Sequence, residues 1–111
     1  MISETALGTA ESLGHPATTE IELAGVLQAL SDPMRLRIVV ALATGDEMSC
    51  KSFDLPVVKS TCTHHFRVLR EAGVIRQRHE GTSRLNSLRR ADLDARFPGL
   101  LDAVVGALGN S

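Results

Sequence analysis

Aromatic side chains are scarce in this chain of 111 residues, which has three phenylalanines and neither tryptophan nor tyrosine. A core without large rings is built from Leu, Val, Ile and Ala, which favours packed helices. The same scarcity argues against a binder of RNA or single-stranded DNA, because such proteins stack bases on surface aromatics.

Cysteines and long apolar runs are also scarce. The two cysteines, Cys50 and Cys62, come without an export signal and therefore indicate reduced thiols in a cytoplasmic protein. No apolar run approaches the length of a membrane span, so no membrane partner is expected. The length predicts one domain whose own core is marginal.

Charge is distributed unevenly, although the net charge is only −1. Residues 1–58 carry −5, residues 59–90 carry +6, and residues 91–111 carry −2. A basic block within an otherwise neutral chain is typical of a surface that binds a polyanion. A solvated charged face is the alternative interpretation. The placement of the block over one helix and one hairpin favours a surface that binds a polyanion.

The helix predicted over residues 59–70 has two different faces at 3.6 residues per turn. Its apolar face predicts core positions, which are Val58, Cys62, His65, Phe66, Leu69 and Ala72. The other face carries Ser60, Thr63, His64 and Arg67. Hydroxyl, imidazole and guanidinium groups hydrogen-bond phosphates and base edges in a major groove. We therefore interpret this segment as a DNA recognition helix.

The segments before this helix are predicted from capping and turn signals. Residues 1–17 read as a mobile tail, and residues 18–109 as the DNA-binding and dimerisation domain. A capping box at Thr19 and Glu22 predicts a helix over 20–30, and Asp32-Pro33 predicts a second over 33–43 that Gly45 closes. A short helix over 49–53 and a turn over 55–57 would complete a helix-turn-helix. The recognition helix starts either at Lys59 or later, capped by Ser60, and Gly73 ends it.

A basic hairpin is predicted directly after the recognition helix. Strands from Val74 to about Arg78 and over 83–88 flank a turn at Glu80-Gly81-Thr82, and this hairpin would form a wing. A helical turn over 91–96 and a last helix over 98–108, ended by Gly109, follow. The predicted fold is mainly α with a small β-hairpin, a winged helix-turn-helix.

Two apolar stripes at opposite ends of the chain predict a homodimer, because a small domain has little core for them to cover. The predicted interface residues are Leu23, Val26, Leu27 and Leu30 in the first helix and Leu101, Val104, Val105 and Leu108 in the last.

Two motifs of the chain belong together. They are Leu30-Ser31-Asp32-Pro33-Met34-Arg35-Leu36-Arg37-Ile38 and the segment from Ser60 to Ile75, Ser-Thr-Cys-Thr-His-His-Phe-Arg-Val-Leu-Arg-Glu-Ala-Gly-Val-Ile. Together they resemble the ArsR family of bacterial winged-helix repressors. The resemblance implies a dimer built on the first and last helices and released from double-stranded operator DNA by an effector, which the sequence does not identify. The expected DNA contacts are Lys59, Ser60, Thr61, Thr63, His64 and Arg67 in the helix and Arg78, Thr82 and Arg84 in the wing.

The metal sites of that family do not carry over to this sequence. Ser49-Cys50-Lys51-Ser52 stands where metal-sensing members have a Cys-x-Cys pair, and the last helix has no histidine. Cys50, Cys62 and His65 would supply at most three ligands, whereas zinc generally takes four. We therefore expect neither a metal nor a cofactor.

Two other functions remain open on the sequence. A thiol- or metal-responsive repressor would use Cys50 and Cys62, and a winged helix without DNA binding would be a protein-interaction module. An enzyme is disfavoured, because no nucleophile elbow, phosphate loop or HExxH pattern organises the polar residues.

Overall fold

A computed structural model describes residues 14–45, 47–49 and 59–109. Within these ranges the elements follow in the order α1 (Leu23–Ala29), α2 (Pro33–Ala43), β1 (Met48–Ser49), α3 (Lys59–Glu71), β2 (Ile75–Glu80), β3 (Ser83–Leu88), α4 (Arg90–Arg96) and α5 (Leu100–Gly109). The predicted mainly α fold with a β-hairpin is confirmed. No helix in the described ranges is long and apolar enough to cross a membrane.

The start of α2 is confirmed, whereas the start of α1 differs from the prediction. Asp32 caps α2, because its Oδ2 accepts the backbone N–H groups of Met34 at 2.9 Å and Arg35 at 3.1 Å. The capping box predicted at Thr19 and Glu22 is wrong. Residues Thr18–Glu20 form a 3-10 turn instead, and α1 begins only at Leu23, after Glu22, which makes no side-chain cap.

The recognition helix α3 begins at Lys59, so the later start after Ser60 is not observed. It ends in a left-handed residue, Gly73, with φ +88°. The Gly73 N–H donates to the Arg70 carbonyl at 3.0 Å and the Val74 N–H to the Leu69 carbonyl at 2.9 Å. This pair of bonds is the Schellman motif, which satisfies the last carbonyls of a helix.

The wing contains one strand more than the predicted hairpin. Strands β2 and β3 pair antiparallel around the turn at Gly81-Thr82, and β1 pairs antiparallel with β3. The sheet order is therefore β1-β3-β2. Ser49 belongs to β1, so the predicted short helix does not begin there; its other residues and the turn over 55–57 lie outside the described residues.

The last two helices are separated by a turn at Pro98 and Gly99. Gly99 has φ +86°, and α5 begins only at Leu100, so the predicted start at Pro98 is wrong by two residues. Gly109 is the last residue of α5 rather than the residue after it.

Among the described residues, the core is formed by aliphatic side chains and Phe66, from positions 21 to 101 of the chain. Its buried members are Ile21, Val26, Ala29, Leu30, Ile38, Val39, Leu42, Phe66, Leu69, Val74, Ile75, Leu93 and Leu101.

Residues just before α1 are attached to α4 and the wing. The Pro16 carbonyl accepts from Arg89 Nη1 at 2.8 Å, Thr18 Oγ1 donates to Asp92 Oδ1 at 2.8 Å, and His15 Nε2 accepts the Gln77 N–H at 2.9 Å. His15 and Pro16 belong to the predicted tail, whose residues 1–13 lie outside the described residues.

Candidate nucleic-acid interface

One face of α3 is buried and the other is exposed, as the helical period predicts. Phe66 and Leu69 are 1% and 0% exposed and pack in the core, whereas Thr63, His64 and Arg67 are exposed. Thr61 is half-buried, and the side chains of Lys59 and Ser60 lie outside the described residues. The outer face of α3 therefore presents a hydroxyl, an imidazole and a guanidinium to solvent.

The inner face of α3 is held by Arg35, a residue that sequence reasoning missed. Arg35 Nε donates to the Ala29 carbonyl at 2.6 Å, and Arg35 Nη1 lies 3.1 Å from His65 Nδ1. His65 Nε2 lies 3.8 Å from Asp32 Oδ2. The end of α1, the start of α2 and the middle of α3 thus meet at one guanidinium.

The His65 imidazole favours its neutral form at this junction. Burial lowers the pKa of His65, and this effect together with the nearby Arg35 cation outweighs Asp32, which acts in the opposite direction. Partial burial raises the pKa of Asp32, but the two backbone N–H groups and the positive charge of Arg35 leave it lowered. In the neutral ring Nδ1 accepts from Arg35 while Nε2 carries the proton facing Asp32.

Arg78 of the wing forms ion pairs with two carboxylates. Its Nε and Nη2 each donate at 2.8 Å to the two carboxylate oxygens of Glu47, and its Nη1 donates to Glu80 Oε1 at 2.5 Å. These hydrogen bonds raise the pKa of Arg78, and the bond from Arg78 lowers the pKa of Glu47. Glu47 was not identified from sequence, since it stands 31 positions away in the chain.

Most other arginines of the basic block also have partners inside the molecule. Arg76 and Arg89 both contact Asp92, and Arg90 Nη1 donates to Asp102 Oδ1 at 2.9 Å. Arg70 lies near Glu71 and Gln77. Among the described side chains of residues 61–90, Arg67 and Arg84 are the cations without a carboxylate within 4.0 Å.

These two cations lie on the two elements predicted to contact DNA. Arg67 is on the outer face of α3, where its Nη2 is 3.5 Å from His64 Nδ1. Arg84 is the second residue of β3, opposite His79 and two positions after the exposed Thr82 of the tip. Among the described side chains of the block, the charge available to a partner is therefore smaller than the net charge, and it is concentrated at these two positions.

The predicted dimer residues divide into two groups by exposure. Val26, Leu30 and Leu101 are at most 8% exposed and belong to the core of the chain itself. Leu23, Leu27 and Leu108 are 46%, 47% and 40% exposed, and Val104 and Val105 are half-buried. Leu108 also lines an apolar groove of about 510 Å³ beside Pro33, Leu36 and Val40 of α2.

The thiols give no sign of a metal site in the part of the chain that the structure describes. Cys62 is half-buried against the core, and Cys50 lies outside the described residues. Residues 14–45, 47–49 and 59–109 contain no group of three or more His, Cys, Asp or Glu side chains that could hold a metal ion.

Comparisons with known proteins agree with this geometry. Residues 30–78 match a family model described as a helix-turn-helix domain. The chain is 36% identical over 84 residues to the HTH-type transcriptional regulator YceK of Bacillus subtilis (strain 168), covering 73% of this chain and 84% of that protein.

Two solved structures share the fold. An ArsR family transcriptional regulator, RHA00566, has a TM-score of 0.63 at 23% identity and covers 80% of this chain and 97% of that chain. The transcriptional repressor BigR from Xylella fastidiosa has a TM-score of 0.61 at 26% identity, with coverages of 78% and 85%.

Proposed function

The chain belongs to the ArsR family of winged helix-turn-helix transcriptional regulators, and from this premise we propose that it is a dimeric repressor of double-stranded operator DNA, released by an effector. The observation that carries the proposal is the exposed polar face of α3 together with Arg67 and Arg84, the cations of residues 61–90 that have no carboxylate within 4.0 Å among the described side chains. Internal carboxylates neutralise most neighbouring arginines, so these two are available to a polyanion.

We assign different roles to the helix and the wing. Thr63, His64 and Arg67 have groups that match base edges, and an α-helix fits the major groove, so these residues are proposed to read sequence. Arg84 is proposed to neutralise a phosphate, and Thr82 to contact the backbone beside it. Arg78 is proposed to contribute less, because Glu47 and Glu80 already balance its charge.

The dimer is proposed to form through the apolar surface that the chain leaves exposed. Leu23 and Leu27 project from α1, and Leu108 borders the groove along α2. In a twofold dimer each copy buries the same patches, so both copies lose exposed apolar area together. Two copies would also place two α3 helices on successive turns of one duplex.

The test is selection followed by quantitative binding. The purified protein is used to select duplexes from a random-sequence library; the enriched sequence is the selected duplex, and a shuffled version is the scrambled duplex. We expect tighter binding to the selected duplex and a negative dependence of log affinity on log salt. Thr63→Ala and Arg67→Ala should each lower the preference by about 1–3 kcal/mol per lost base contact.

Failure of this experiment has a definite meaning. If no sequence is enriched and affinity for duplex DNA is insensitive to salt, the chain is not a DNA-binding repressor. The winged helix would then be a protein-interaction module.

The effector is proposed to act without the two cysteines. The double variant Cys50→Ser/Cys62→Val should bind the selected duplex like the wild type. A release of DNA by zinc, arsenite or an oxidant in the wild type but not in this variant would instead establish a thiol- or metal-responsive repressor.

A further inference from the structure

A continuous line of hydrogen bonds runs through the inside of the wing, from the end of α3 to β1. Arg70 Nη1 donates to Gln77 Oε1 at 3.0 Å, Gln77 Nε2 donates to Asn86 Oδ1 at 2.7 Å, and Asn86 Nδ2 donates to the Met48 carbonyl at 3.1 Å. We call these four residues the polar row. Its two middle members, Gln77 and Asn86, are both 0% exposed.

The strand register puts the polar row in one line across the sheet. Gln77 on β2 pairs with Asn86 on β3, and Asn86 pairs with Met48 on β1. At the outer edge of β2 the line continues, because the Gln77 N–H donates to His15 Nε2 at 2.9 Å. The row therefore connects all three strands of the wing to the last turn of α3.

Stability alone does not account for two buried amides at these positions. Leu or Met would fill the same space without the cost of removing amide groups from water, and would tolerate a shift of one element against another. A buried amide pair keeps its hydrogen bonds only in one relative position of the strands and the helix. Buried polar residues of this kind can exchange stability for a unique arrangement.

The two ends of the polar row lie on either side of most of α3 in the chain. Met48 precedes α3, and Arg70 lies in the last turn of α3. The two middle members, Gln77 and Asn86, lie on β2 and β3, the strands that carry the wing tip. We propose that Gln77 and Asn86 are positioning residues that fix α3 relative to the wing, so that α3 and Arg84 reach one duplex together. This inference rests on the proposed DNA-binding function.

The expected consequence is a loss of sequence preference rather than of all DNA binding. Attraction between arginines and phosphates tolerates small displacements, because it acts over several ångströms and supplies most non-specific affinity. Hydrogen bonds to base edges depend on distance and angle, so a displaced α3 loses them first.

The test uses one variant that cuts the polar row without changing its shape. Gln77→Glu keeps the volume and the contact with Arg70, but a carboxylate cannot donate to Asn86 Oδ1. Asn86 could turn its amide toward the carboxylate only by giving up the Met48 carbonyl. A second variant, Gln77→Met/Asn86→Leu, removes both amides at similar volume. His79→Gln, which changes an exposed residue near the tip of β2, is the matched control.

Affinity is measured for the selected and the scrambled duplex, with active protein counted by stoichiometric titration and folding checked by circular dichroism. We expect both row variants to lose at least about fivefold of the preference for the selected duplex, the lower end of one base contact. Their affinity for the scrambled duplex should stay within about twofold of the wild type, since the available cations are unchanged. His79→Gln should keep the wild-type preference.

A folded row variant that retains the full preference would overturn the inference while leaving the proposed function intact. If Gln77→Met/Asn86→Leu does not fold, Gln77→Glu decides alone. If the wild type shows no preference at all, the proposed function fails first and the inference falls with it.

Discussion

Arg78 and Arg84 lie on adjacent strands of the wing, but their surroundings differ. Arg78 has three hydrogen bonds to Glu47 and Glu80, and Arg84 has no carboxylate within 4.0 Å among the described residues. A guanidinium bound to two carboxylates neutralises little phosphate charge and therefore releases few of the counterions bound to DNA, because its own charge is already balanced. Sequence alone treats the two arginines as equivalent wing cations.

The first prediction separates these two arginines. Arg84→Ala should weaken binding to every duplex alike and make the slope of log affinity against log salt shallower by about 0.9 per subunit, the value for one phosphate contact. Arg78→Ala should leave that slope unchanged. Binding isotherms over a salt series measure both, and an equal change of slope in the two variants would show that DNA displaces Glu47 from Arg78.

Gly73 is constrained both by its backbone conformation and by its neighbour. Its φ is +88°, and a Cβ there would lie 2.6 Å from Ile21 Cγ1, a buried core atom. Gly81 has φ +63°, but a Cβ would meet nothing within 4 Å.

The second prediction uses Gly81 as the control for Gly73. Gly81→Ala should cost about 1–2 kcal/mol of unfolding free energy, for the left-handed conformation alone. Gly73→Ala should cost about 2–4 kcal/mol, because overpacking against Ile21 is added. Urea unfolding at one protein concentration measures the difference; equal losses would mean that Ile21 moves aside freely.

At the scale of elements, the sequence predicted the features that depend on residues close together in the chain, which are helix caps and amphipathic faces. Asp32-Pro33 started α2, the helical period gave the exposed and buried faces of α3, and Gly73 ended it, because caps and amphipathic faces depend on residues a few positions apart. The strand β1 was missed, since two residues carry no period and pair only with distant β3.

Long-range polar partners were missed for the same reason. Glu47 and Arg35 find their partners about 30 positions away in the chain, which no spacing rule reveals. The burial of Gln77 could have been predicted from the sequence, because strand alternation puts Gln77 on the inner face with Ile75. A polar residue at a core position of a strand indicates a hydrogen-bond partner inside the fold.

The third prediction concerns pH and the junction of α1, α2 and α3. The pKa of His65 is lowered in the folded protein, so at pH values below its ordinary pKa near 6.5 the unfolded chain binds more protons than the folded one. The contribution of His65 to folding stability is therefore complete above pH 6.5, and it is lost as the pH falls from there toward the pKa of the folded protein. Urea unfolding between about pH 7.5 and pH 5 should show this loss, and His65→Gln should reduce it. An identical pH profile in the variant would assign the loss to other groups.

At the scale of the whole molecule, the exposed fraction of each predicted interface residue decides which of them can test the dimer. Leu101 is 2% exposed and packs in the core, so a charge there would unfold the chain and report nothing about association. Leu23 and Leu27 are 46% and 47% exposed, so a charge there leaves the fold of one copy intact. These two leucines therefore separate dimerisation from folding.

The fourth prediction is that Leu23→Glu/Leu27→Glu gives a folded monomer. The wild type should sediment as a dimer at tens of micromolar, with a thermal midpoint that rises with protein concentration, because association stabilises only the folded state. In the variant two carboxylates replace apolar contacts, so the midpoint should no longer depend on concentration and DNA binding should weaken as the second half-site contact is lost. Gln28→Glu, which adds a charge to the exposed part of the same helix, is the control and should remain dimeric. A wild-type monomer in sedimentation, or a variant that still sediments as a dimer, would show that these leucines do not hold two copies together.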